Sequence, residues 1–269
     1  MAWAIRNSSK RSRLPINKMP IAQHYGWRYY TVDASAVRNV AQPDEEFANF
    51  ATCEEFANLI PEHEIWFNES TFDREGVFFL ANAHLRLKEK KDGASYEDAY
   101  SAGLEMERPL REKITGLKFR NGKPHRQVPD NVYVEPYFTL DDAEFPIQVW
   151  LVDGCAVRSL YKTDYVEGGH GFVYPWVPKQ QIWIEKDLDH WELPFITCHE
   201  YLELRLMRDH GMEYDPAHEV CSHMEFDLRK VRGAISLLTA GRRHLTKDGL
   251  HNLTGDEVFR YVADHYVKQ

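Results

Sequence analysis

Between Glu192 and Asp209 apolar residues recur every three to four positions, at Phe195, Leu202 and Leu206. That is the spacing of a helix with one buried stripe. The preceding segment, IWIE from Ile182 to Glu185, is a short run of apolar, β-prone residues and predicts a strand. The same succession occurs earlier in the chain. IWFN from Ile65 predicts a strand, and the spacing predicts a helix from Arg74 to Lys91. Gly93 and Gly211 fall just past these helices, where a left-handed cap is wanted. A second helix is expected from Tyr96 and from Tyr214, with acids in its first turn and Pro216 tolerated near its start.

The letters repeat as well as the pattern. The stretch from Ile65 to Asp92 aligns without a gap on the stretch from Ile182 to Asp209, sharing Trp66/Trp183, Glu75/Glu192, Phe78/Phe195 and Leu85/Leu202. After one inserted residue, GASYEDAYSAGLEMERPLR from Gly93 matches GMEYDPAHEVCSHMEFDLR from Gly211. Upstream, VDASAVR from Val32 matches VDGCAVR from Val152, a segment expected to be a strand or strand end. Three blocks in one order at nearly constant spacing point to an internal duplication. The expected fold class is therefore α+β, built of two tandem strand-plus-helix-pair units. Five regions follow: a basic tail (1–20), a first, degenerate repeat (21–116), a Pro/Gly/Asn-rich linker or hairpin (117–146), a second repeat (147–242) and a C-terminal helix (243–269).

Composition narrows the setting. No apolar run approaches the ~20 residues needed to span a bilayer, so no membrane partner is expected. Cys53, Cys155, Cys198 and Cys221 form no CxxC pair, which suits a reducing, cytoplasmic setting rather than a disulfide framework. The net charge of -9 disfavours general nucleic-acid binding. The exception is the tail, where Arg6, Lys10, Arg11, Arg13 and Lys18 precede any acid and offer a weak electrostatic contact.

The chemistry lies in CHEYLE, residues 198–203. On a helix His199 and Glu203 are four apart and share one face. An imidazole and a carboxylate so placed can reach one cation. His218, early on the next helix, can complete a His₂Glu set of the kind used by catalytic zinc, which keeps a fourth position open. Glu200 then stands where a general base would act on water. Zn²⁺ is the expected metal, and an anionic, oxygen-richer set also admits Mn²⁺ or Fe²⁺. Glu225, seven residues after His218, is a candidate to orient a ligand. His170 and Tyr174, in the glycine-rich stretch VEGGHGFVYPWVP, are candidates to face the substrate and stabilise an oxyanion. At the aligned positions the first repeat has Asn82, Ala83, Arg86 and Tyr100 in place of His199, Glu200, Glu203 and His218. The proposed functional letters change together while the scaffold letters stay.

With these residues the second repeat resembles the zincin-type metallopeptidases of the gluzincin branch, over about residues 180–225. His199 matches the family's first ligand and Glu200 its catalytic base. Glu203 stands at the second histidine of HExxH, making the motif HExxE, and His218 stands at the third ligand. The resemblance implies a metal-dependent, peptidase-like hydrolase acting on a peptide or amide, with a substrate strand paired to the Gln181–Glu185 segment. The alternative is a non-catalytic structural or interaction protein, part of a viral or cellular assembly, whose metal only staples two helices.

Overall fold

Strands Lys18–His24 (β1) and Trp27–Val32 (β2) form an antiparallel hairpin. Its turn, Tyr25-Gly26, has positive φ at both residues, which matches the right-handed twist of the strands. In this computed structural model, residues 16–43, 45–120, 128–140, 142, 145–189 and 192–230 are described. The basic stretch up to residue 15 and the expected helix 243–269 lie outside them.

At the end of β2, Asp33 caps the short helix Ala34–Arg38 (α1), accepting from Ser35 N at 2.9 Å. The VDxxAVR segment is thus a strand end followed by a helical turn, because its aspartate satisfies the first free amides. Phe50–Thr52 (β3) and Glu64–Asn68 (β4) complete a sheet of order β1-β2-β4-β3, with β2 and β4 parallel. The helix Glu69–Lys91 (α2) begins five residues before the expected Arg74, since the Asn68 side chain accepts from Ser70 N at 3.0 Å and starts it there. After Gly93 comes Tyr96–Thr115 (α3), capped by Ser95.

The second unit repeats this plan. Tyr133–Leu140 (β5) and Ile147–Val152 (β6) form a hairpin, and Asp153 caps Gly154–Leu160 (α4). Gly168–His170 (β7) and Gln181–Glu185 (β8) then close a sheet of order β5-β6-β8-β7. Leu193–His210 (α5) and Tyr214–Lys230 (α6) follow, separated by Gly211 in the left-handed conformation. Register repeats too: Val32 faces Asn68 across β2–β4, and Val152 faces Glu185 across β6–β8. The α+β duplication read from the sequence is the architecture of the chain. One expectation fails. β8 lies between β6 and β7, so Gln181–Glu185 has no free edge for a substrate strand; the sheet's edges are β5 and β7.

Helix α5 has three faces, each with its own use. Leu193, Ile196 and Leu204 pack on Ile182 and Ile184 of β8. Phe195, Leu202 and Leu206, the stripe seen in the sequence, pack on Ala217, Cys221, Met224 and Leu228 of α6. Each such buried side chain contributes about 1.5–3 kcal/mol through removal from water. The third face carries His199, Glu200 and Glu203, and it opens into a cleft between the units. No helix of the described residues is long and apolar enough to cross a membrane.

Candidate metal centre

The cleft has a volume of about 370 Å³. One wall carries Ile196, His199, Glu200 and Glu203 of α5, spaced i, i+3, i+4 and i+7, with His218 and Glu225 of α6. The opposite wall carries the matching residues of the first unit: Phe79, Asn82 and Arg86 of α2, with Tyr100 and Glu107 of α3. Corresponding faces of the two helix pairs therefore meet across one space.

Three donor atoms converge on the α5 side. His199 Nε2 lies 3.2 Å from His218 Nδ1, His218 Nδ1 lies 3.0 Å from Glu203 Oε2, and His199 Nε2 lies 3.7 Å from Glu203 Oε2. A tetrahedral ion bound at about 2.0–2.1 Å separates its ligand atoms by about 3.3–3.4 Å. The observed spacings bracket that value, so His199, Glu203 and His218 form a candidate metal-binding group. His218 is the outermost, with 32% of its side chain exposed against 3% for Glu203, so the group opens towards the cleft.

The surroundings prepare these atoms. His199 Nδ1 donates to Glu225 Oε2 at 2.9 Å, which makes Nε2 the nitrogen that would meet a cation once its proton is given up. Glu225 in turn accepts from Arg229 Nε at 3.0 Å and Nη2 at 2.7 Å. Burial would raise the Glu225 carboxyl, but His199 and Arg229 outweigh it and hold it down to about 2. Glu203 is likewise held well below the usual carboxylate range: burial opposes, and contacts from His170, His199 and His218 prevail. Burial also works against a charged His199, yet Glu203 and Glu225 carry its pKa well above 6.5.

His170 takes a place different from the one expected. It is fully buried, and its Nδ1 accepts from the Phe172 amide at 3.2 Å. The proton therefore sits on Nε2, which faces Glu203 Oε1 at 3.1 Å, off the ideal line of a hydrogen bond. His170 is buried behind Glu203, a candidate ligand, and does not line the cleft, so the oxyanion role read for it is corrected. The same tautomer decides against a second cation among His170, Glu200 and Glu203, although their atoms also converge: the available lone pair points at Phe172. Tyr174 does line the cleft, stacked on Trp176 at a centroid distance of 4.8 Å.

Glu200 packs against the backbone of β7. A Cβ added at Gly168 would stand 2.8 Å from Glu200 Oε1 and 2.9 Å from its Cγ, so only glycine leaves room there. Burial first, then the neighbouring Glu203, pushes the Glu200 carboxyl well above its ordinary value. A cation beside both groups would reverse part of that shift. Cys198 sits in the α5–α6 interface, where burial pushes its thiol up to about 12, so it is no ready thiolate ligand. Glu219 and His223 lie exposed on α6.

Sequence reading missed the arginines and acids behind the site. Arg229 bonds Glu192 bidentately, at 2.9 and 2.8 Å, besides Glu225. Arg38, from the first unit, reaches Glu192 at 3.4 Å and Glu167 at 2.5 Å. The signal was present in the shared letters Glu75/Glu192 and VDxxAVR, charged residues kept inside apolar blocks. Comparison with protein-family models, with curated proteins and with solved structures finds no match to this chain, so its own geometry carries the functional argument.

Proposed function

We propose that the protein is a metal-dependent hydrolase of peptide or amide bonds, built on a zincin-like variant in which Glu203 replaces the second histidine of HExxH. The observation that carries this reading is the convergence of His199 Nε2, Glu203 Oε2 and His218 Nδ1 on the open wall of a cleft. Two imidazoles and one carboxylate suit Zn²⁺, and the single carboxylate leaves Mn²⁺ and Fe²⁺ as weaker fits. When bound, such an ion would polarise the scissile carbonyl and make the attacking water more acidic.

The chain's own residues supply the rest. Glu200, next in sequence to His199 and held against Gly168, accepts the proton of the attacking water and passes it to the departing amine. Glu225 fixes the His199 ring through Nδ1, and His170 steadies the far oxygen of Glu203. Tyr174, which lines the cleft, meets the substrate in this reading.

The structural-staple reading draws on one fact: the three donors come from two adjacent helices, α5 and α6. Against it, structural zinc is commonly closed by four protein ligands, whereas this group has three and opens to a cleft. The deciding experiment measures bound metal and amide hydrolysis in the parent and in Glu200→Gln. Retained metal with lost hydrolysis supports the hydrolase. Unchanged function in Glu200→Gln, with metal loss only lowering the melting temperature, would establish the staple.

A further inference from the structure

The two units exchange arginines. Arg158, the last residue of the second VDxxAVR block, crosses to Glu75 on α2 of the first unit, at 2.9 Å from Nε to Oε2. Glu75 Oε2 accepts from Arg111 Nη1 at 2.7 Å, Arg111 Nε donates to Glu107 Oε1 at 2.6 Å, and Glu107 Oε2 accepts from Asn82 Nδ2 at 2.6 Å. In the other direction Arg38, the last residue of the first block, crosses to Glu192 at the start of α5. From there the chain runs through Arg229 and Glu225 to His199. Unit for unit these are the same five-residue series. One ends on Asn82 and the other on a candidate ligand.

Arg38 has a second arm into the site. Its Nε, which donates to Phe47 O at 3.1 Å, stands 2.5 Å from Glu167 Oε1 as a close electrostatic contact out of hydrogen-bond line. Burial pushes the Glu167 carboxyl up to about 8 while Arg38 draws it down, and the Glu167 backbone is held at φ 53, a conformation uncommon for a residue with a side chain. Glu167 leads directly into β7, which carries Gly168 against Glu200 and His170 against Glu203. The side chains of Arg38, Glu167 and Glu192 are each at least nine-tenths buried, so little water intervenes to screen these contacts.

We propose that Arg38 is a positioning residue through which the first unit sets the geometry of the metal centre in the second. One arm orients His199 through Glu192, Arg229 and Glu225; the other fixes β7 through Glu167. The inference rests on the proposed metal site and goes beyond it, since it makes a unit without ligands a working part of that site. Arg158 holds the matching place; its series ends on Asn82 and its remaining bonds go to Glu185 and the Tyr165 carbonyl, none of them a proposed ligand, so it serves as the internal control.

The test titrates the full-length chain with Zn²⁺ against a chromophoric chelator and records the visible spectrum of the Co²⁺ form, for the parent, Arg38→Met, Arg38→Lys and Arg158→Met. Loss of an outer partner of a metal ligand costs about 10–100-fold in affinity. Arg38 reaches His199 only through Glu192, Arg229 and Glu225, so the expected result in Arg38→Met is a smaller loss of roughly 2–30-fold with an altered Co²⁺ spectrum, partial recovery in Arg38→Lys, and parental binding in Arg158→Met even where it melts earlier. If Arg38→Met does not fold, Arg38→Lys decides: its fork is lost while its charge stays, so weakened binding supports the proposal and parental binding overturns it. Equal weakening by Arg158→Met, or parental affinity and spectrum in a less heat-stable Arg38→Met, assigns Arg38 a merely structural role. A parent that takes up no metal overturns both this inference and the function it rests on.

Discussion

His199 donates to Glu225 across α5 and α6 at 2.9 Å. The contact fixes which ring nitrogen is left to bind a cation. In the first unit Asn82 makes the matching contact with Glu107, at 2.6 Å. An amide there keeps the helix pair joined but offers no imidazole, so among the described residues this face of the first unit has no counterpart of the candidate group His199, Glu203 and His218.

The ligand assignment predicts a division between binding and catalysis. His199→Ala, Glu203→Ala and His218→Ala should each bind Zn²⁺ far more weakly, beyond the ~10–100-fold typical of an outer partner. Glu200→Gln should keep its metal and lose about 10²- to 10⁴-fold in kcat, the usual worth of a positioned base. Metal analysis after dialysis, paired with kinetics on an amide substrate, checks both. Full metal content in His199→Ala would remove the site as drawn.

Gly168 predicts a separate effect on the base. In Gly168→Ala the new Cβ would press on Glu200 Oε1, Glu200 Cγ and Ile196 Cγ2 at 2.8, 2.9 and 3.0 Å. Glu200 must shift, and a displacement of about 1 Å can cost ~10²-fold in rate. Metal affinity should change little, because the atoms nearest the added Cβ belong to Glu200 and Ile196 and not to a proposed ligand. Unaltered turnover in this variant would show that the position of Glu200 does not matter.

Metal uptake at the proposed site should depend on acidity. Burial disfavours a charged His199, but Glu203 and Glu225 outweigh it and hold the pKa well above 6.5. A metal must therefore displace a proton through the neutral range, and apparent affinity should climb with pH, by about tenfold per unit for each proton released. The stability of the chelator-treated protein runs the other way. A raised folded-state pKa gives stability that is complete below the unfolded value near 6.5 and is lost as pH rises through the folded value. Competition titrations and melting curves in chelator from pH 6 to 9 test the pair of slopes. A flat affinity profile is incompatible with a protonated His199.

The buried arginine exchange predicts a large stability effect at Arg158. Its side chain is wholly buried between Glu75 and Glu185, and their charges hold its pKa above the ordinary value although burial opposes. Arg158→Met takes the arginine from Glu185 and leaves Glu75 with Arg111 alone, which should cost about 3–5 kcal/mol. In a chain of this size each kcal/mol lowers Tm by roughly 2–4 °C. Calorimetry measures the drop, and a shift of a degree or less would mean that the carboxylates are compensated elsewhere.

Much of the fold was legible in the order of residues. Strand, helix, glycine cap and second helix were each marked locally, and the repeated letters showed that they occur twice. The pairing of His199 with Glu203 was legible for the same reason, since 3.6 residues per turn places i and i+4 together whatever surrounds the helix. Helix starts were less so: Asn68 begins α2 because its side chain meets Ser70 N, a bond weighed against strand continuation only in the folded chain. The side of β8 taken by β7 was hidden as well, because sheet order depends on non-local pairing.

Sequence by itself determined the duplicated α+β plan and the helical faces on which His199, Glu203 and His218 stand. Tertiary structure alone decided that β7 brings His170 behind Glu203, that corresponding helix faces share one cleft, and that Arg38 reaches Glu192 across the units. Local spacing follows from backbone geometry and survives any packing. Contacts over more than a hundred residues exist only once apolar faces have docked, and a buried Glu192 then keeps its charge through Arg229 of its own unit and Arg38 of the other.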